Sequence, residues 1–543
     1  MAAPAPSDST ICLLQSALLP DPSTSRQIRE LLRSNSPPPY HIPFTISALS
    51  DELARYDARI EALREELAGL EAARAALKAY YDDCGALLAP IRRLPSELLV
   101  KIFGLLSTEE NESRTAFPTS SSAAIFRLSQ AHLLVLSRVC SRFHTLVINT
   151  STLWNTIWLD SIMWHKPRDR NRMLFLLGRM IERGGNCLLN VFIQNTSGAP
   201  YDAALKLLAE HSERWRTANI LCPYDDMRYL SLAKGNLAHL KTLSLSCWGP
   251  SSNIGIFELA PNLRSITVNN GTSSHWPAFV ALPNSFFLRL RSVRISEILE
   301  GALGEVSSTS VLSRLSPMTK VTLKSISTCM VDGSDIEPVT SSISALAIES
   351  DQFSANLRRT IAKIIQSLTL PALQELELVS TDFPDLVFWP HTEFLALSAR
   401  SSFHNHLRSL QLLHCIIEGA ELIECLSGLP LLESLAISDR RGVNDSTHQP
   451  LITDSLLAQL TLAPGHPSAV PRLHVFQCRS LLQFDNQVFI NFLLSRVQEG
   501  RLFETQLLCL PESRRDLDPI LSGVHEACLR GQLKISVGGR DGS

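Results

Sequence analysis

His404 and His406 stand two residues apart near a helix end, a spacing at which two imidazoles could share a divalent metal. A protein metal site needs at least a third ligand, and none is nearby in the sequence, so the pair reads as solvated loop histidines. Twelve cysteines are scattered without one CxxC spacing, which leaves no paired-cysteine metal knuckle. Cys140, Cys415 and Cys425 lie in apolar periodic stretches, where a thiol behaves as a small buried hydrophobe and stays free in a reducing compartment. There is no GxSxG nucleophile elbow, no GxxxxGK(S/T) phosphate loop and no HExxH zinc motif. The expectation is a chain with no catalytic residue, no metal and no cofactor. A hydrolase would need a cluster of pKa-shifted groups in one pocket. Asn149, Asn195, Asn270 and Asn444 each head an Asn-x-Ser/Thr triplet. These triplets read as accidental, because no Lys or Arg precedes the short apolar patch of the N-terminus, as a secretory signal would require.

Composition narrows the class. With 543 residues, 45% hydrophobic and 19% charged, the chain can bury large cores and is expected to hold more than one structural unit. A net charge of −3 gives no reason to expect a nucleic-acid or anionic-membrane partner. No apolar run approaches the roughly 20 residues needed to span a bilayer. The expected compartment is the cytosol or nucleus.

The most informative stretch runs from Ile91 to Asp160. Pro95 suits the first turn of a helix, where its missing N–H costs nothing, and Glu97 places a favourable charge near the helix start. From Leu94 the apolar positions Leu98, Leu99, Ile102, Phe103 and Leu106 recur at helical spacing over a broad face. A face that wide needs two partners; the alternative is an ordinary core helix. A second apolar helix is expected around Val139, Cys140, Phe143 and Leu146, then a strand at Leu153-Trp154. This order closely resembles the F-box. The resemblance implies that one side of the first helix packs within the module and the rest docks on a Skp-type adaptor. Residues 107–125, rich in Ser, Thr and acidic groups, exceed the usual link and read as a solvated loop insert.

Upstream, residues 1–44 read as mostly disordered around a brief helical stretch at RQIRELLRS. Residues 45–89 carry a heptad: Ile46, Leu49, Leu53, Tyr56, Ile60, Leu63, Leu67, Leu70, Arg74, Leu77, Tyr81, Cys84 and Leu88 alternate spacings of three and four. That pattern predicts a coiled-coil helix; the alternative is a helix folded back on its own chain. Should the seam pair with a second copy through residues 46–88, an antiparallel arrangement with Ile60 facing Leu63 brings Arg59 to Glu66 and Asp57 to Arg64. A parallel one opposes Arg59 to Arg64 and Glu66 to Glu71.

Beyond residue 150, an LxxLxL pattern starts at Trp154, Leu188, Trp215, Leu240, Leu263, Leu290, Met318, Ile343, Leu373, Leu407, Leu432 and, weakly, Leu473. Amphipathic segments such as Arg168 to Arg183, Asp202 to Arg214, Leu357 to Leu368 and Leu456 to Leu462 lie between. A strand plus a helix at this period is the signature of a leucine-rich-repeat solenoid, with independent αβ domains as the alternative. At the ninth repeat position only Cys415 supplies the expected Asn or Cys; Trp248, Gly271, Asp351 and Thr381 do not. An irregular horseshoe is expected, some turns being repaired by other polar side chains. On its concave sheet would lie Thr242, Ser244, Ser265, Thr267, Arg294, Lys320, Lys324, Glu349, Glu375, Glu377 and Gln411, small and neutral first, then basic, then acidic. Target capture is one reading of this face, and pairing of Lys324 with Glu349 across adjacent strands is the other.

The expected fold is therefore α/β: an irregular leucine-rich-repeat solenoid over residues 151–543, preceded by a small helical F-box module at 90–150 and a long N-terminal coiled-coil helix. LLRSN before the coil and PIRRLPSELLVKIF after it make the chain similar to the expanded F-box family of mushroom-forming (basidiomycete) fungi. That resemblance implies a substrate-recognition subunit of an SCF-type cullin-RING ubiquitin ligase, with a Skp-type adaptor, a cullin scaffold and an unknown target protein as partners. The alternative is a non-degradative interaction scaffold.

Overall fold

The computed structural model describes residues 22–34, 37, 42–112, 131–164, 167–195, 201–248, 254–269, 279–296, 299–300, 308–324, 327–328, 338–350, 357–380, 387–438, 450–463, 468–480, 482–497, 502–509 and 517–538. The chain forms two compact units, Met1–Leu99 and Val100–Ser543, with the boundary inside one helix.

The first unit is helical. Helix α1 spans Pro22–Ser34 and α2 spans Ile42–Leu87. At 46 residues α2 is about 70 Å long. Its interior is built from Ala, Leu, Glu and Arg, all strong helix formers, with its one proline, Pro43, in the first turn. It ends where Leu88 and Ala89 donate to the carbonyls of Gly85 and Ala86, and Pro90 has no N–H to continue the ladder. A single turn at Pro90–Arg93 follows, and Leu94 is extended, as a residue before proline prefers. Helix α3 then runs Ser96–Glu112, with the Pro95 carbonyl accepting from the amides of Leu98 and Leu99. It thus carries on through the first six residues of the expected loop insert, where Glu109, Glu110 and Glu112 favour helix. Residues 113–125 of that insert lie outside the described residues.

In the second unit a short helix, α4 (Ala131–Leu136), precedes α5 (Ser141–Asn149). Val139 and Cys140 were expected inside the second helix. Val139 instead sits in the turn before it, and Cys140 is extended at the N-cap, its Sγ accepting from the Phe143 amide at 3.5 Å. The thiol replaces an oxygen cap for an amide that no helical carbonyl can reach. Cys140 is therefore exposed and not the buried thiol its apolar neighbours suggested. Leu153-Trp154 is likewise a 3-10 turn, Ser151–Trp154, and not a strand. Trp154 is buried there, its indole Nε1 donating to the Val147 carbonyl at 2.7 Å and Arg183 lying over its ring.

After that turn the described residues build a parallel sheet of 14 strands in sequence order. They are β1 (Thr156–Asp160), β2 (Leu189–Gln194), β3 (Trp215–Pro223), β4 (Thr242–Trp248), β5 (Ser265–Asn269), β6 (Ser292–Ser296), β7 (Lys320–Lys324), β8 (Ala345–Ser350), β9 (Glu375–Ser380), β10 (Ser409–Leu413), β11 (Ser434–Ser438), β12 (Val475–Ser480), β13 (Phe503–Cys509) and β14 (Leu533–Gly538). Most open two residues past the first apolar position of an LxxLxL, so the two remaining apolar positions point into the core. Leu243 and Leu245, Val293 and Ile295, and Leu410 and Leu412 are buried in this way. The return segments, among them helices Pro167–Arg183, Asp202–Glu210, Leu357–Ser367, His391–Ser401 and Asp454–Leu460, cover that buried face. Each strand adds its face to one continuous core, which no single repeat could close alone.

Turn polarity is met mainly by arginine. Arg214 donates to the carbonyls of Cys187 and Ile181, Arg289 to those of Ala260 and Glu258, and Arg314 to those of Val280 and Leu282. Arg400 reaches Leu368 and Ile365, and Arg496 reaches Val470 and Leu460. In every case the acceptors lie about one repeat earlier in the chain, so these guanidinium forks fasten neighbouring repeats. Cys415 does the work expected of the ninth position, its thiol donating to the Leu378 carbonyl at 3.5 Å. Gly271, Asp351 and Thr381 lie outside the described residues.

Candidate functional site

Helix α3 separates its apolar residues by burial. Leu99 and Phe103, one turn apart, are buried, the Phe103 ring meeting Phe143 edge-on at 5.0 Å. Leu98, Ile102 and Leu106 are 44%, 41% and 45% exposed, and Leu105 is exposed as well. Positions 98, 102 and 106 repeat every four residues and form one stripe along the helix. Val135, at the end of α4, and Val139, before α5, also expose their side chains. Phe143 and Val147 hold α5 to the module, with Leu146 half-buried. The anticipated set Leu94, Pro95, Glu97, Leu98, Leu99, Ile102, Phe103, Leu106, Val139, Cys140, Phe143 and Leu146 therefore divides. Leu99, Phe103 and Phe143 are core, whereas Leu98, Ile102, Leu106 and Val139 are open apolar surface; Leu105 and Val135 belong with the latter and escaped the sequence pattern. Position 105 shares the α3 register and could have been found from it. Val135 depends on α4, which a six-residue apolar run does not identify by periodicity.

The second candidate is the open face of the sheet, where parallel pairing aligns side chains into rows. One row is Thr242, Ser265, Ser292, Lys320, Ala345, Glu375 and Ser409; the next is Ser244, Thr267, Arg294, Thr322, Ala347, Glu377 and Gln411. A third carries Ser296, Lys324, Glu349 and Val379. All eleven anticipated residues fall in these rows. The Arg294 guanidinium grips Glu349 with both nitrogens, at 3.2 and 3.3 Å, and Lys320 meets Glu377 at 3.6 Å. Each pair spans two strand spacings, about 10 Å, over the small residues Thr322, Ala345 and Ala347. Charges expected to project therefore partly lie flat across the sheet and offset one another. At the β1 end the same face carries Trp158 stacked on Phe192, ring centroids 4.1 Å apart.

On the return side, Cys425, His391 and Glu424 stand in line: Sγ to Nδ1 is 3.5 Å, and Nε2 to the carboxylate is 2.9 Å. The order is that of a nucleophile, a base and an orienting acid. Yet Cys425 is 1% exposed, and burial pushes its thiol up to about 12, away from the thiolate that attack requires. Among the described residues no three His, Cys, Asp or Glu side chains gather as a metal site, and His404 and His406 are both exposed.

Residues 91–160 match the F-box-like family, the interval that contains α3, α4, α5 and β1. A comparison with curated protein sequences finds no match. Among solved structures, an internalin (inlF) from Listeria monocytogenes aligns over 65% of this chain and 74% of its own, at 13% identity and a TM-score of 0.25. A score that low adds nothing to what the sheet itself displays. The chain thus carries an F-box-like module followed by a parallel-sheet repeat array. No helix among the described residues is long and apolar enough to cross a membrane.

Proposed function

We propose that this chain is a substrate-recognition subunit of an SCF-type cullin-RING ubiquitin ligase. The single observation that carries the reading is the open apolar stripe Leu98, Ile102 and Leu106 on a helix inside the F-box-like match. Exposed leucine and isoleucine in a regular stripe, above a layer that is itself well buried, are what an obligate partner helix would cover. A Skp-type adaptor is the partner this reading assigns, with the cullin scaffold beyond it. The sheet rows from Thr242 to Gln411 are the proposed target surface, and the target is a protein. Such a subunit works by holding its target near a ubiquitin-charged enzyme, which raises effective concentration without a bond-breaking residue.

Co-expression with a Skp-type adaptor and cullin tests this reading. The wild-type chain is expected to co-purify with both. Changing Ile102 and Leu106 to aspartate is expected to abolish recovery while leaving the fold intact, since each truncated anchor in a docked interface costs at least ~1 to 2 kcal/mol. Equal recovery of both forms, or of neither, would contradict it and favour the non-degradative scaffold.

A further inference from the structure

Helix α2 presents an apolar seam that is open along most of its length. Ile46, Leu53, Ile60, Leu63, Leu67, Leu70, Leu77 and Tyr81 are 45% to 75% exposed, and only Leu49 and Tyr56 are half-buried. A seam of this regularity in water favours a second helix. We propose that α2 pairs with α2 of a second copy of this chain, antiparallel, with Ile60 of one facing Leu63 of the other. This goes beyond the receptor reading and does not depend on it.

The charges beside the seam choose the orientation. In a parallel pair the flanking contacts are Glu52 with Asp57, Arg59 with Arg64, and Glu66 with Glu71, and all three repel. In the antiparallel pair they are Arg59 with Glu66 and Asp57 with Arg64, each occurring twice by symmetry, and all attract. The charges also select the register. Sliding one heptad one way sets Glu66 against Glu66 and Arg64 against Arg64; sliding the other way sets Arg59 against Arg59 and Asp57 against Asp57. A slide of two heptads one way restores attraction, Arg64 with Glu71 and Asp57 with Lys78, but brings Arg74 against Leu63 beside the central layer; a slide of two heptads the other way pairs Glu52 with Arg59 but keeps fewer apolar layers than the proposed register. In the proposed register Arg74 faces Leu49 near the end of the overlap, where its guanidinium can reach water. The core layers are then Ile60 on Leu63, Tyr56 on Leu67, Leu53 on Leu70 and Ile46 on Leu77. Arg64 also pairs with Glu61 of its own helix at 3.2 Å, an exposed contact.

Sedimentation equilibrium of the full chain, wild type against Arg59→Glu and against Arg59→Glu with Glu66→Arg, tests orientation and register together. In the proposed pair the single change sets a glutamate at position 59 against Glu66 twice and weakens the dimer about tenfold, and the added Glu66→Arg change restores it. In a parallel pair the single change faces Arg64 and tightens association. In the two-heptad register that pairs Arg64 with Glu71, position 59 faces Tyr80 and nothing changes. Tightening, indifference or a monomeric wild type would each overturn the proposal. So would a Cys84–Cys84 crosslink within the dimer, because the proposed register holds those thiols about 70 Å apart along the axis.

Discussion

Arg496 joins one repeat to the preceding one through four acceptors, the carbonyls of Val470, Leu460 and Pro471 and the hydroxyl of Ser468. Burial lowers its pKa to about 10, so the cation is costly to place there and is held by its hydrogen bonds. Arg496→Ala is expected to destabilise the chain by about 2 to 4 kcal/mol, because buried carbonyls lose their donor. Arg496→Lys should rescue little of this, since an ammonium cannot reproduce the fork; thermal and urea unfolding measure both. The thiols give a pH prediction. Burial raises Cys415 and Cys425 from 9.0 to about 12, so the unfolded chain ionises them first. Their contribution is fully present below pH 9 and is lost as pH rises from 9 to about 12, at about 1.4 kcal/mol per pH unit for each thiol. Replacing both by alanine should flatten the alkaline limb of stability against pH, and an unchanged limb would contradict this origin. At this scale the sequence was only partly readable. The role of Cys415 followed from its repeat position, whereas the arginine fasteners did not, because their acceptors are backbone atoms some 30 residues away.

Helix α3 shows how neighbours on one element take opposite roles. Leu99→Ala should lower stability by about 2 to 5 kcal/mol, as expected for a fully buried leucine. Leu98→Ser, one residue away on the open stripe, should leave the stability within about 1 kcal/mol of wild type. Circular dichroism melts of the two variants separate core from surface directly. Periodicity located this helix and its apolar residues, but it could not say which flank would be covered. The start of α5 was misread for a related reason: Val139 and Cys140 continue an apolar run, and only the cap at Cys140 shows that the helix begins after them. Heptad spacing likewise marked the seam of α2, and exposure along it adds that the seam is open.

For the whole molecule, the LxxLxL spacing fixed the placing and the direction of the repeats, and the rows of the sheet face followed from parallel register. Strands β13 and β14 escaped because their apolar pattern is broken. Thr505 occupies a buried position of β13 where leucine is usual, and Gln532 stands where β14 would have its first leucine. Across-sheet pairing of Arg294 with Glu349 was also invisible, since residues 55 apart become diagonal neighbours only once three strands lie in register. The central claim is that the open stripe of α3 is an adaptor-docking surface and that the sheet face is left free for a target. Amide hydrogen exchange of the full chain, with and without a Skp-type adaptor, tests it most directly. Protection gained over residues 98–106 and 132–149, with β4 to β10 unchanged, is the predicted result; protection confined to the sheet, or none at saturating adaptor, would contradict it.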